Sequence, residues 1–141
     1  MRQRALSARD VLIRHPWATT MLESRSNPGP ATLRHHDAVL GSLRQAGFSL
    51  AMAGHAFSAI NSYIYGFAMQ QINLPFHGPD EVAEMAESFL QQFPTDAYPH
   101  LAAFTVEHVM QPGYDYANEF EFGLDLILDG LERLRGETGT Q

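Results

Sequence analysis

The chain contains no cysteine. That excludes disulfides and any thiolate metal site, and it fits a reducing, cytoplasmic compartment. Charge is sparse as well: Asp, Glu, Lys and Arg make up 18% of the residues, against about 25% in an average soluble domain. Positive charge is the scarcer sign, with 9 Lys and Arg against 16 Asp and Glu and a formal net charge of −7. An acidic chain repels phosphate, so these residues alone make a poor surface for DNA or RNA. Strand patterning is missing, because no stretch alternates apolar and polar residues over more than a few positions. The opening "MRQRALSARDVLIRHPW" is basic but lacks the apolar run of a secretory signal. Residues 50–69 carry no formal charge, yet they hold a histidine, an asparagine, two serines and two glycines. That is too polar for a comfortable membrane span, so no membrane partner is expected.

What is present is a 45% apolar fraction in 141 residues, enough for one domain, 1–141, with a proper core. Low charge on a chain of this size also implies that a partner hides part of its surface. Helical periodicity predicts an all-α fold of about seven helices, over roughly 4–14, 17–24, 31–46, 50–72, 80–93, 99–110 and 116–135. The punctuation agrees with those limits. Pro16 and Pro94 stop helices, and Pro99 suits a first helical turn. Gly47 suits the position just past a helix end and Ser49 an N-cap. Asp80 and Glu81 favour the positive end of a helix dipole. Helix four, apolar nearly all round, is expected to be central and buried on several sides.

Catalytic and metal motifs are absent. The seven histidines, His15, His35, His36, His55, His77, His100 and His108, form no His-x-x-x-His pair and no His-Glu-x-x-His motif. His35 and His36 are neighbours, so on a helix they diverge by about 100° and cannot easily share a metal. There is no Gly-x-Ser-x-Gly, no cysteine nucleophile and no glycine-rich phosphate loop. The expectation is no enzyme, no metal and no cofactor.

The last helix, "EFEFGLDLILDGLERLRG", holds Gly123 and Gly130 in its interior, each costing roughly 1 kcal/mol relative to alanine. Phe120, Leu124, Ile127, Leu131 and Leu134 follow alternating steps of four and three, a heptad seam. The two glycines lie beside it, and a close helix crossing would compensate their cost. Helix four offers a matching stripe in Ala59, Ser62, Gly66 and Met69. Two such helices suggest a four-helix bundle built by two copies, a homodimer. The alternative is that both helices pack inside one subunit.

"GFSLAMAGHAFSAINSYIYGFAMQQ" at 47–71, "YPHLAAF" at 98–104 and "FEFGLDLILDGLERLR" at 120–135 together resemble the C-terminal domain of tetracycline-repressor-like (TetR) transcription regulators. "LIRHPWA" at 12–18 looks like the entry segment of an actinobacterial-type branch. The resemblance covers nearly the whole chain. It implies a homodimer through helix four and the last helix, with a small-molecule pocket in each subunit. That pocket is implied between helices one, three and four and the last core helices. Mapped by position, its lining would be Phe57, Ser58 and Asn61 with His36, Val39 and Leu40. Trp17 and Met21 would form a wall or lid, and Phe89, Phe104 and His108 the far side. The implied effector is small and hydrophobic or aromatic, with little present to grip a carboxylate. Asn61 needs a hydrogen-bond partner if buried, either a ligand or water, or a neighbouring backbone carbonyl. Gln70 stands where tetracycline-binding members carry a metal-contacting glutamate, which argues against a metal–tetracycline ligand. In the family an N-terminal helix-turn-helix domain binds operator DNA. These residues are expected to start after it and to reach DNA only through it. A stand-alone helical carrier or interaction module is the alternative.

Overall fold

The computed structural model describes residues 1–23, 28–76 and 78–138. Among them are seven α-helices and no strand: α1 (Arg2–Arg14), α2 (Pro16–Glu23), α3 (Pro30–Gln45), α4 (Leu50–Ile72), α5 (Pro79–Gln92), α6 (Pro99–Phe104) and α7 (Tyr116–Thr138). The chain divides into two compact units, one formed by residues 1–72 with 121–141 and the other by residues 73–120.

In the first unit α4 is the organising helix. Ala53, Ala56, Ile60, Ile64, Phe67 and Ala68 are buried along it, with Ile60 and Ile64 essentially solvent-free. Side chains of that size contribute about 1.5–3 kcal/mol each on burial. The opposite face is open, since Ala51, Gly54, His55, Ser58, Ala59, Ser62 and Gly66 are exposed. Helix four thus packs against α1, α2 and α3, as its composition suggests, and leaves one face exposed among the described residues. Leu12 and Ala5 are the buried residues of α1. Val39 and Leu43 of α3 join Phe48, Ala53 and Ala56 in one core cluster, against which Leu40, Phe57 and Leu131 pack.

The joint between α3 and α4 follows the expected chemistry. Gly47 has φ +94°, a left-handed conformation that a Cβ would strain. This lets the Phe48 N–H reach back to the Leu43 carbonyl at 3.2 Å, closing the end of α3. Ser49 Oγ then accepts the Met52 N–H at 3.2 Å and caps α4. Arg2 of α1 ion-pairs with Glu121 and Asp125 of α7. Arg135 donates to the Ala46 carbonyl at 3.3 Å. These contacts are exposed, and pairs of this kind contribute little individually. Leu124, fully buried, anchors α7 more firmly.

In the second unit Val82 and Ala86 of α5 are buried, and Phe89 stacks on Phe93 with ring centroids 4.3 Å apart. The single helix expected over 99–110 changes character at Thr105, where Thr105–Val109 forms a π-helical turn. The Thr105 hydroxyl donates to the Leu101 carbonyl at 2.8 Å, while the Met110 N–H bonds the Thr105 carbonyl at 2.9 Å. A hydroxyl that bonds back one turn competes with the helix ladder, which accounts for a loosened turn at this position.

Candidate functional site

The first unit contains a cavity of about 300 Å³ between α1, α3 and α4. Helix α1 supplies Arg4, Ser7, Ala8, Val11 and Leu12, α3 supplies His35, and α4 supplies Asn61, Ile64 and Tyr65. The α1 contribution follows from helical spacing, because positions 4, 7, 8 and 11 share one face. Leu12 and Ile64 are buried and form apolar wall.

One polar interaction dominates this wall. Arg4 Nη2 donates to Asn61 Oδ1 at 2.6 Å. The other two guanidinium nitrogens, Nε and Nη1, are buried and have no hydrogen-bond partner. Burial pushes the Arg4 pKa below its ordinary value, with Tyr65 acting in the opposite sense. The His35 pKa is also lowered, first by desolvation, then by the positive charge of Arg4 and by His36. The cavity wall thus holds one arginine, a histidine, an amide and hydroxyls within a mostly apolar frame.

The family resemblance implies a pocket between these three helices and the last core helices; this cavity is lined by the three alone, and its residues differ from those expected. Asn61 lines the cavity, and its partner is the Arg4 side chain, not a backbone carbonyl. His35 lines it in place of His36, whose ring packs edge-on against Phe57 with centroids 5.0 Å apart. Val39 is core, and Leu40 and Phe57 pack on that core. Ser58 is exposed. Trp17 is 63% exposed with its ring edge-on to His15, and Met21 is exposed too. The α1 face, with Arg4 foremost, was missed. Its signal was available as a cation opening a stripe of small and apolar residues, but a charge near a chain start reads as solvated.

The second unit has its own cavity of about 240 Å³, lined among others by Val82, Met85, Phe89, Leu101, Phe104, Thr105 and Val109. Phe89 and Phe104, both expected at the far side of a pocket, stand here. His108 instead bonds Glu119 Oε1 through Nε2 at 3.0 Å and packs against Phe104 and Tyr114.

The residues expected at a dimer interface separate into two groups. Phe120 and Leu124 are fully buried in the chain, Ile127 and Leu131 half-buried, and Leu131 packs on the core cluster. Phe120 and Leu124 thus belong to this chain's own core, since a four-three apolar stripe is also how an amphipathic helix meets its own core. Gly123 likewise serves the chain itself, because a Cβ there would fall 2.7 Å from Tyr63 Cζ. Outside the core, Ala59, Ser62, Gly66, Met69 and Leu134 are exposed, and nothing lies within 4 Å of a Cβ at Gly130. The most exposed apolar side chains of α7 are Phe122 at 66% and Leu126 at 60%. Neither belongs to the heptad seam, whereas the exposed Leu134 does.

Among the described residues no helix is long and apolar enough to cross a membrane, and no group of three His, Asp or Glu side chains could hold a metal.

A helical fold whose first, third and fourth helices line a ligand-sized, partly open pocket defines the class: an all-α domain with a pocket between its helices. The family model for the tetracyclin repressor-like C-terminal domain matches residues 1–135, and the chain belongs to that family. It is 31% identical over 136 residues to the HTH-type transcriptional repressor DrrR1 of Streptomyces coeruleorubidus, covering 89% of this chain and 49% of that protein. The chain therefore spans about half the length of that relative. Among solved structures it is similar to the transcriptional regulator SCO7222, a TetR from Streptomyces coelicolor, with TM-score 0.73, 28% identity and coverage of 95% of this chain and 64% of that one. The Streptomyces coelicolor TetR family protein ActR, solved in complex with (S)-DNPA, shares the fold at TM-score 0.65 and 20% identity, with 90% of this chain and 59% of that one covered.

Proposed function

We propose that this chain is the effector-sensing and dimerisation part of a cytoplasmic transcriptional repressor and performs no catalysis. The carrying observation is the cavity of about 300 Å³ between α1, α3 and α4, at the lower end of the range for small-molecule sites. A small effector with an apolar body occupies it and controls operator binding by an N-terminal helix-turn-helix domain. Support comes from the repressor DrrR1, whose name carries that role and of which this chain matches about half. ActR, of the same fold, has been solved with a small molecule bound.

Two copies pair through the outer sides of α4 and α7. Gly123 and Tyr63 bring these helices together inside the chain. The residues one turn from that contact, Ala59 and Gly66 on α4 and Leu126 on α7, are exposed. An uncharged strip of small residues beside two large exposed side chains, Phe122 and Leu126, suits a second copy of the same helices.

A thermal-shift screen of small hydrophobic compounds tests the sensor reading. A compound at a hundred times its Kd stabilises the folded state by about 2.7 kcal/mol. A screen in which no chemical class raises Tm would overturn it. Sedimentation at micromolar concentration tests the pairing, with a stable monomer as the contrary result.

A further inference from the structure

Arg4 occupies its position at a cost. A guanidinium cannot shed its proton near neutral pH, and burying a charge without a counter-charge is expensive. The Asn61 amide oxygen is a neutral acceptor that takes one N–H, at 2.6 Å. Nε and Nη1 are left buried without partners. On α1 and α7, Asp10 pairs with Arg9, and Glu121 and Asp125 pair with Arg2. No described carboxylate pairs with Arg4. In a chain of net charge −7, an unmatched positive charge held against a cavity is a selective feature of that cavity.

The remaining wall defines the rest of the ligand. Ala8, Val11, Leu12 and Ile64 offer apolar surface for a hydrophobic body. Ser7 and Tyr65 add neutral hydroxyls. Burial and Arg4 both oppose protonation of His35, so Arg4 is the wall's one permanent positive charge. A monoanion matches that charge, whereas a phosphate dianion would bring a second negative charge with nothing to balance it.

We infer that the effector of the α1–α3–α4 cavity is a small apolar-bodied carboxylic acid, bound as its anion against Arg4. The inference rests on the reading of this cavity as the effector site and narrows that reading from hydrophobic molecules in general to acids. It replaces the expectation that little here would grip a carboxylate. Charge-assisted hydrogen bonds are the stronger ones, and an anion also relieves the unmatched charge.

The test is calorimetric titration of the chain with matched acid and amide probes of one shape: phenylacetate and phenylacetamide, cinnamate and cinnamamide, naphthalene-2-acetate and naphthalene-2-acetamide, decanoate and decanamide. At least one acid is expected to bind about tenfold or more tighter than its amide, the lower range for a hydrogen bond to a charged group. Arg4→Met should erase that preference, while Arg4→Lys keeps part of it. Circular dichroism verifies that each variant is folded. If Arg4→Met is not, the wild-type acid-to-amide ratio and its reduction in Arg4→Lys decide. Amides binding as tightly as acids would overturn the inference and leave the cavity reading standing, as would a preference that survives Arg4→Met. Failure of every acid while neutral hydrophobic compounds bind overturns it in the same way. No binding by any probe, charged or neutral, overturns the inference and the effector-site reading together.

Discussion

Gly123 of α7 lies against the ring of Tyr63 of α4, so closely that a Cβ would stand 2.7 Å from Tyr63 Cζ. The glycine is what lets the two helices meet there. Gly123→Ala must push the ring aside, and forced overpacking costs about 1–3 kcal/mol. Gly130 has nothing within 4 Å of its virtual Cβ, so within one chain Gly130→Ala should gain roughly 0.5–1 kcal/mol of helix stability. Urea unfolding of the two variants checks the contrast. If Gly130→Ala instead weakens self-association, that glycine answers to a partner.

Phe122 and Leu126 are the most exposed large apolar side chains of α7. Charging them should hardly disturb the fold, since exposed substitutions usually fall within about 0.5 kcal/mol. Phe122→Glu with Leu126→Glu is expected to convert a dimer into a monomer in sedimentation velocity. An unchanged dimer would move the interface elsewhere.

The Arg4–Asn61 pair should behave as a coupled unit. Asn61→Leu leaves all three guanidinium nitrogens without an acceptor and should destabilise the ligand-free chain by about 1–3 kcal/mol. Adding Arg4→Met should restore most of that loss, because two apolar side chains leave no unmet polar group. Thermal or urea unfolding of the single and double variants measures the coupling. Purely additive losses would show that the bond matters little.

His35 supplies a pH signature. Its folded-state pKa lies below the ordinary 6.5, so the unfolded chain takes up a proton first as pH falls. Stability is then unpenalised above about pH 7, and it declines as pH drops through 6.5 toward the folded-state value. His35→Gln should flatten that part of the stability profile. By NMR the His35 titration should move up toward 6.5 in Arg4→Met, since Arg4 is one of the causes of the shift. No movement would assign the shift to burial and His36 alone.

Much of the architecture was legible in the sequence because it is locally encoded. Pro16 follows the end of α1, Pro99 opens α6, Gly47 closes α3 and Ser49 caps α4, and each does so through its own backbone or side chain. The π-helical turn at Thr105 was not legible, since a hydroxyl bonding back to Leu101 leaves no trace in periodicity. Phe120 and Leu124 show the deeper limit: a heptad stripe says that a face is buried, not which molecule buries it. The cavity was legible at the level of helices and at Asn61, but Arg4 was not. A charge near a chain start normally points to water, and only its hydrogen bond to Asn61, 57 residues on, reveals that it points inward.

The claim that matters most is that a small molecule sits between α1, α3 and α4. A methyl and amide NMR titration of the chain with the best compound from the thermal-shift screen tests it directly. The shift changes should centre on Ala8, Val11, Asn61 and Ile64, with a Kd matching calorimetry. Changes confined to Met85, Leu101 and Val109 of the second cavity, or spread without a centre, would contradict it.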